Sequence, residues 1–190
     1  MGAPIREVGK SSLCSWSIKT ITDSVQAKQV LLNDPDINHE TLPLLGHGSL
    51  LSSARKLIFD STPEASGTIA SIQTVAGTGA NHLGALLLAK ACRPQTVWIS
   101  NPSWINHQEI WTIVDDSIRR KSYPYFDPSE FSIDFNGMQH TLESETAAGD
   151  IVILHACAHN PTGIDLTQDQ WRIVADICQR KALVPFFDMA

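Results

Sequence analysis

The chain has 190 residues and a formal net charge of −6 at neutral pH, and 43% of its residues are hydrophobic and 18% charged. These values are typical of one globular domain with a sizeable core, or of one domain with part of a second. The acidic balance and the lack of a basic run argue against nucleic acid or an anionic membrane as the main partner, and no apolar stretch reaches membrane-spanning length.

The first third of the chain is expected to be helix and loop. Residues 1–23 are polar and weakly patterned, so we predict no element there. Ser24–Leu32 reads as a helix that ends at Asp34-Pro35, because the residue before a proline avoids the helical region. Ser49–Phe59 reads as a second helix, since its apolar residues recur at close to helical spacing.

From Ile69 onward the pattern changes to alternating strands and helices. A parallel sheet covered by helices on both faces, a three-layer αβα arrangement, is the fold class that this alternation predicts. Sheets of this kind bind ligands at the carboxyl ends of their strands. The predicted strands are Ile69–Val75, Thr96–Ser100, Lys121–Phe126, Asp150–His155 and Ala182–Phe187, and the helices are Ala80–Ala91, Asn106–Asp115, Phe135–Glu145 and Thr167–Lys181.

A glycine-containing turn follows the first of these predicted strands. Gly77, Thr78 and Gly79 open a helix, where backbone N–H groups and the positive end of the helix favour an anion such as a phosphate. A tight turn that needs glycine for a positive φ explains the same residues equally well. The segment alone leaves both interpretations open.

Three further strand ends carry distinctive side chains. Trp104 offers a flat platform for an aromatic ligand, although a core or lid position is the commoner use of a tryptophan. Asn160 can donate to a phenolic oxygen, or it simply forms a turn with Pro161. Asp188 closes an apolar strand and can hold a proton on a ring nitrogen, or serve as a cap or ion-pair partner.

Metal binding is a competing interpretation of one of these strand ends. His155, Cys157 and His159 alternate, which places them on one face of a strand, and zinc takes such ligands. No fourth ligand is evident, so we predict no metal site. The four cysteines (Cys14, Cys92, Cys157 and Cys178) form no C-x-x-C motif and favour free thiols in a reducing compartment.

The four strand ends together describe one ligand. A phosphate, a planar ring, an oxygen acceptor and a basic ring nitrogen are the features of pyridoxal 5'-phosphate, whose chemistry depends on a protonated ring nitrogen. A dinucleotide is the rival ligand for Gly77-x-Gly79. The sequence argues against a dinucleotide, because the third glycine, Gly84, comes too late and no acid ends the strand at Ser100.

In four strings the sequence resembles the aspartate aminotransferase branch of the class I aminotransferases, a family of fold type I pyridoxal phosphate enzymes. The matching strings are SIQTVAGTGANHLGALLL, SNPSWINHQEIW, LHACAHNPTGIDLTQDQW and VPFFDMA. The resemblance implies that Gly77 and Thr78 bind the cofactor phosphate, Trp104 stacks on the ring, Asn160 binds its phenolic oxygen and Asp188 pairs with its nitrogen. It also implies that His107 and His155 orient Asp188.

The resemblance further implies amino transfer between L-aspartate or L-glutamate and a 2-oxo acid, in a homodimer. The family's Schiff-base lysine would lie beyond Ala190, so we expect the chain alone to be inactive, with no certain catalytic residue. The alternative is a non-catalytic remnant that pairs with an intact homologue or binds a phosphate ligand. Thr41 and Ile105 depart from the family pattern, where a tyrosine and a small residue are usual.

The resemblance also divides the chain. We expect a divergent segment over residues 1–25, an N-terminal helical segment over 26–66, and a partial cofactor-binding large domain over 67–190. A cytoplasmic location fits the cysteine usage and the lack of an apolar signal core near the N-terminus, and a mitochondrial one is the alternative.

Overall fold

The computed structural model describes residues 12–35, 37–38, 40–59 and 68–189, with side chains from residue 22 onward. It forms two compact units, residues 1–44 and 45–190. In the first unit, helix α1 spans Ser12–Leu32 and therefore begins well before the predicted start at Ser24. Residues 22–32 of this helix are exposed. Without a buried apolar face, the sequence gives little periodicity from which the start of a helix can be recognised.

The second unit contains five helices and six strands among its described residues. Four strands form a parallel sheet in the order β2-β1-β5-β6, and β3 and β4 form a separate antiparallel pair. The elements are α2 (Gly48–Phe59), α3 (Ala76–Cys92), β1 (Thr96–Asn101), α4 (Ile105–Val114), β2 (Arg119–Pro124), β3 (Phe126–Asp127), β4 (Ser132–Ile133), α5 (Phe135–Ser144), β5 (Ile151–Cys157), α6 (Gln168–Arg180) and β6 (Val184–Met189).

Helices cover both faces of the sheet, which confirms the predicted fold class. On one face, Trp98 and Leu154 pack with Met138 of α5 and Ile177 of α6. On the opposite face, buried apolar side chains of the sheet pack against those of α3 and α4. The cluster contains Val97, Ile99, Ile151, Ile153, Ala85, Ile110 and Trp111. β5 has apolar residues buried on both faces, as expected for a central parallel strand.

The predicted strand Ile69–Val75 is wrong. Residues 68–75 form no strand, and the backbone N–H of Gln73 donates to the Leu45 carbonyl instead. The Gln73 side chain also accepts from the backbone N–H of His47. Alternating apolar residues therefore do not identify a strand here, because the segment is held by a loop rather than by a neighbouring strand.

Helix α6 begins where the sequence predicts. The Thr167 hydroxyl accepts from the Gln170 backbone N–H at 3.3 Å, and the Gln170 side chain accepts from the Thr167 N–H at 2.9 Å. This reciprocal capping box satisfies two donors that a helix start otherwise leaves unpaired. Among the described helices, none combines the length and apolar character that crossing a bilayer requires.

The register of β5 and β6 determines what lies at the carboxyl edge of the sheet. His155 is paired with Asp188, and a bulge follows between His155 and Cys157. Two polar residues that are far apart in sequence are thus adjacent at neighbouring strand ends. This edge is where parallel sheets bind ligands.

Candidate functional site

A cavity of about 240 Å³ lies at the carboxyl edge of the sheet, beside the first turn of α3. All five residues predicted to bind the cofactor line it: Gly77, Thr78, Trp104, Asn160 and Asp188. Asn81, His155, Cys157, Ala158 and Met189 complete the lining. The fold therefore brings the chemistry of three separate strand ends and one helix start into one concave site.

The first turn of α3 is suited to an anion. The glycine-containing segment is part of the helix itself rather than a turn before it, because α3 begins at Ala76. Val75 occupies the N-cap position and no side chain caps the helix there. A Cβ built on Gly77 would meet no heavy atom within 4 Å, so the cavity side of this turn is open. A phosphate at this position would receive backbone N–H groups and the positive end of the helix.

Asp188 is held on both carboxylate oxygens. Asn81 donates from Nδ2 to Oδ1 at 3.1 Å, and His107 Nε2 lies 3.1 Å from Oδ2. The His107 N–H is poorly aligned with that oxygen, so this is a close polar contact rather than a well-formed hydrogen bond. The His107 ring lowers the pKa of Asp188, burial opposes this, and the Asn81 amide adds to the lowering. The carboxylate is therefore ionised at neutral pH and can stabilise a protonated ring nitrogen.

His155 is neutral and its tautomer follows from its partners. Its Nδ1 accepts from the Asn160 backbone N–H at 3.3 Å, so the proton lies on Nε2, which faces the Ser103 hydroxyl at 3.2 Å. Burial, followed by the neighbouring His107 ring, lowers the pKa of His155 to about 4. The His155 ring packs edge-on against His107, with centroids 5.0 Å apart.

Trp104 contacts one ring of this histidine pair. Its ring meets His107 edge-on, with centroids 5.3 Å apart and the planes at 88°. Trp104 is the N-cap residue of α4, so the start of that helix places the indole at the cavity. An aromatic wall, a carboxylate and an uncapped helix start thus surround the same space.

The turn that carries Asn160 is anchored by an acid that sequence reasoning did not single out. Asp165 accepts from the backbone N–H groups of Ala158 and His159, each at 3.0 Å. The Tyr125 hydroxyl donates to the Ile164 carbonyl at 2.7 Å, and its ring stacks on His159 at 3.7 Å. The Asn160–Pro161 peptide within the turn is cis, as is Asn101–Pro102.

The three residues considered as zinc ligands, His155, Cys157 and His159, do not share one environment. The nitrogens of His159 lie 3.0 Å from the Ser100 hydroxyl and 2.9 Å from the Thr162 hydroxyl, and Cys157 is exposed. A different group, His107, His155 and Asp188, has ligand-type atoms within 4.8 Å of one another. Both nitrogens of His155 already face protein partners, Ser103 and the Asn160 backbone N–H, so this ring has no nitrogen left over for a metal ion.

Asn81 is the other site residue that the sequence did not indicate. It is 5% exposed, lines the cavity and donates to both Asp188 and the Gly77 carbonyl. The available signal was a polar residue one helical turn after a glycine at a helix start. That signal is weak, because whether such a side chain faces a cavity depends on how the helix packs against the sheet.

Comparison with known proteins identifies the family. Residues 13–190 match the model of aminotransferase class I and II. The chain is 46% identical over 182 residues to the L-tyrosine:2-oxoglutarate aminotransferase ucdG of Aspergillus ustus, covering 92% of this chain and 34% of that relative. It is 40% identical over 167 residues to the cytoplasmic aspartate aminotransferase of Oryza sativa subsp. japonica, covering 87% and 40% respectively.

A solved structure gives the same result. The aromatic-amino-acid aminotransferase of Burkholderia pseudomallei, covalently bound to pyridoxal phosphate, superposes with a TM-score of 0.78 at 34% identity, covering 90% of this chain and 41% of that one. The chain belongs to the class I and II aminotransferase family. It spans about two fifths or less of the length of these relatives.

Proposed function

We propose that this chain forms the pyridoxal 5'-phosphate site of an aminotransferase. One observation carries the proposal: Gly77, Thr78, Trp104, Asn160 and Asp188 line a single cavity. Bound pyridoxal phosphate supplies the electron sink that amino transfer requires. The parent reaction moves an amino group between an L-amino acid and a 2-oxo acid.

Each residue has a distinct role in this proposal. The N–H groups of Gly77 and Thr78 and the Thr78 hydroxyl bind the phosphate. Trp104 packs on the ring, and Asn160 donates to the phenolic oxygen. The ionised Asp188 carboxylate keeps the ring nitrogen protonated, with His107 beside its second oxygen and His155 packed behind His107.

We further propose that these 190 residues, taken alone, do not catalyse amino transfer. Lysine is the expected group for both covalent attachment and proton transfer. The cavity lining among the described residues contains no lysine. Lys90 lies in the last turn of α3, Lys121 in β2 and Lys181 just after α6, and none of them is part of that lining. Mixing the chain with pyridoxal phosphate and borohydride should therefore give no stoichiometric adduct at one lysine. Such an adduct with turnover would overturn this part of the proposal.

Binding is tested by titrating the chain with pyridoxamine 5'-phosphate and following tryptophan fluorescence. We expect saturable binding that Asp188→Ala and Thr78→Ala both weaken by about tenfold or more, because each removes a partner of a charged ligand group. Asp169→Ala, which removes an exposed carboxylate at the start of α6, is the matched control. Equal binding by Asp188→Ala and the unaltered chain would refute a pyridine site.

The alternative is a remnant that binds only phosphate or pairs with an intact homologue. The uncapped start of α3 supports a phosphate site that does not need the ring. Competition experiments distinguish a full cofactor site from a phosphate-only site. Pyridoxine, which has no phosphate, should still bind weakly to a full cofactor site, and inorganic phosphate should displace bound pyridoxamine 5'-phosphate only incompletely. A remnant would bind inorganic phosphate and show no effect of Asp188→Ala.

Substrate, assembly and location are inferred from the relatives. They include an L-tyrosine:2-oxoglutarate aminotransferase and aspartate aminotransferases, so an acidic or an aromatic L-amino acid is the proposed amino donor. We propose a homodimer in the parent enzyme and a cytoplasmic location, which the cytoplasmic aspartate aminotransferases of rice and yeast support. A mitochondrial location is the alternative. Sedimentation of the chain with a full-length relative tests the assembly.

A further inference from the structure

The side chain of Asn81 connects two parts of the cavity that handle different ends of the ligand. Its Nδ2 lies 3.1 Å from the Gly77 carbonyl, in the turn proposed to bind phosphate. The same nitrogen lies 3.1 Å from Asp188 Oδ1, in the strand end proposed to face the ring nitrogen. Asn81 is on α3 and Asp188 on β6, so the amide joins the helix layer to the edge of the sheet.

Chemistry determines the orientation of this amide. The Gly77 carbonyl and the Asp188 carboxylate can only accept hydrogen bonds, so the NH₂ group must face both of them. Both of its protons are thereby used. Asn81 Oδ1 is left buried, and it has no hydrogen-bond partner among the described residues.

A buried acceptor without a donor is costly, and most native proteins avoid it. The cavity beside Asn81 is the space from which a donor can come. A protonated ring nitrogen beside Asp188 brings an N–H into this part of the cavity, whereas an unprotonated ring brings only another acceptor. The arrangement therefore favours a protonated ring nitrogen in two ways: a donor fixes the Asp188 carboxylate, and Asn81 adds a further acceptor, its Oδ1, near that carboxylate.

We propose that Asn81 is a positioning residue that fixes Asp188 relative to the phosphate-binding turn and raises the proton affinity of the bound ring nitrogen. This inference rests on the proposed cofactor site. Asn81 is not proposed to exchange a proton itself, because both amide protons are committed. Its effect is transmitted through the carboxylate orientation and through its unpaired Oδ1.

The test uses Asn81→Leu, which has a similar size and no hydrogen-bonding group, with bound pyridoxamine 5'-phosphate as the probe. We expect about tenfold weaker binding, the loss of one hydrogen bond to a charged group. We also expect the pKa of the bound ring nitrogen, read from the ligand's absorbance as pH is varied, to fall by about one pH unit. Asn81→Gln retains the amide and should restore part of both effects.

Two controls make the outcome decisive. Asn136→Leu, at an exposed position on α5, should change neither the affinity nor the ring-nitrogen pKa. Asn81→Ala removes the same hydrogen bonds without added bulk, so it replaces the leucine variant if that variant fails to fold. An unchanged ring-nitrogen pKa in the folded variant would overturn the inference. Failure of the unaltered chain to bind the probe would instead overturn the proposed function.

Discussion

Lowering the pH from about 7.5 to about 5 should destabilise the chain through His155 and His159. Burial is the largest cause that lowers the pKa of each ring from 6.5 to about 4. The second cause is a neighbouring histidine, which is His107 for the His155 ring and His155 for the His159 ring. Below about pH 6.5 the unfolded chain takes up a proton on each ring, whereas the folded chain does so only near pH 4. The free energy of unfolding therefore falls as the pH drops through this window and does not depend on these two rings above it.

The size of the effect follows from the pKa difference. At about pH 5 the loss is about 2 kcal/mol per ring for a fully shielded group. His155 is 8% exposed and His159 is 1% exposed, and His155 faces an open cavity that admits solvent. Solvent screening through the cavity reduces the loss at His155 to about 1 kcal/mol, so with about 2 kcal/mol for His159 the pair loses about 3 kcal/mol.

Urea unfolding followed by circular dichroism at a series of pH values measures this loss. The double variant His155→Gln/His159→Gln should lose most of the pH dependence between about pH 6.5 and 4. His140→Gln, which replaces an exposed histidine, should leave that dependence unchanged. The reasoning is refuted if the double variant keeps the full dependence, or if the His155 ring proton in the folded chain titrates near its ordinary pKa by NMR.

Three further changes test the packing around the site by their effect on the free energy of unfolding. Thr167→Ala removes the capping-box hydroxyl that receives the Gln170 N–H and should cost about 1 kcal/mol. Ala76→Gly should stabilise the chain by roughly 0.5–1 kcal/mol, because Ala76 has a φ of 56°, where glycine is not strained. Gly84→Ala should cost about 1 kcal/mol net, since its Cβ would lie 2.8 Å from Phe186 Cε2, although alanine favours the helix.

Controls for these variants come from the same chain. Thr112→Ala removes a hydroxyl that bonds within α4 and does not cap it, so no loss is expected. Phe186→Leu should turn Gly84→Ala into a neutral or favourable change in a double-mutant cycle, because the contacting ring is gone. A loss of stability in Ala76→Gly would contradict the strain assigned to that position.

Local signals in the sequence were sufficient for the elements with strong periodicity or strong caps. The capping box at Thr167 and the apolar face of α6 identify that helix, and the run from Ile151 identifies β5 as a buried strand. Signals of similar appearance failed where no partner was implied. Residues 69–75 alternate like a strand, yet their backbone bonds to a loop at Leu45, and only the arrangement of the whole unit decides between those partners.

The sequence by itself determined the αβα class and the chemical character of the four site groups, at three strand ends and one helix start, because side-chain type and hydrophobic spacing are local properties. Tertiary structure alone decided that Asp188 lies beside His155 through the β5–β6 register, and that Asn81 reaches Asp188 across 107 positions of the chain. Those contacts depend on sheet register and on how α3 packs against the sheet. Neither is encoded in any short segment, so the shared cavity becomes visible only when the chain is folded.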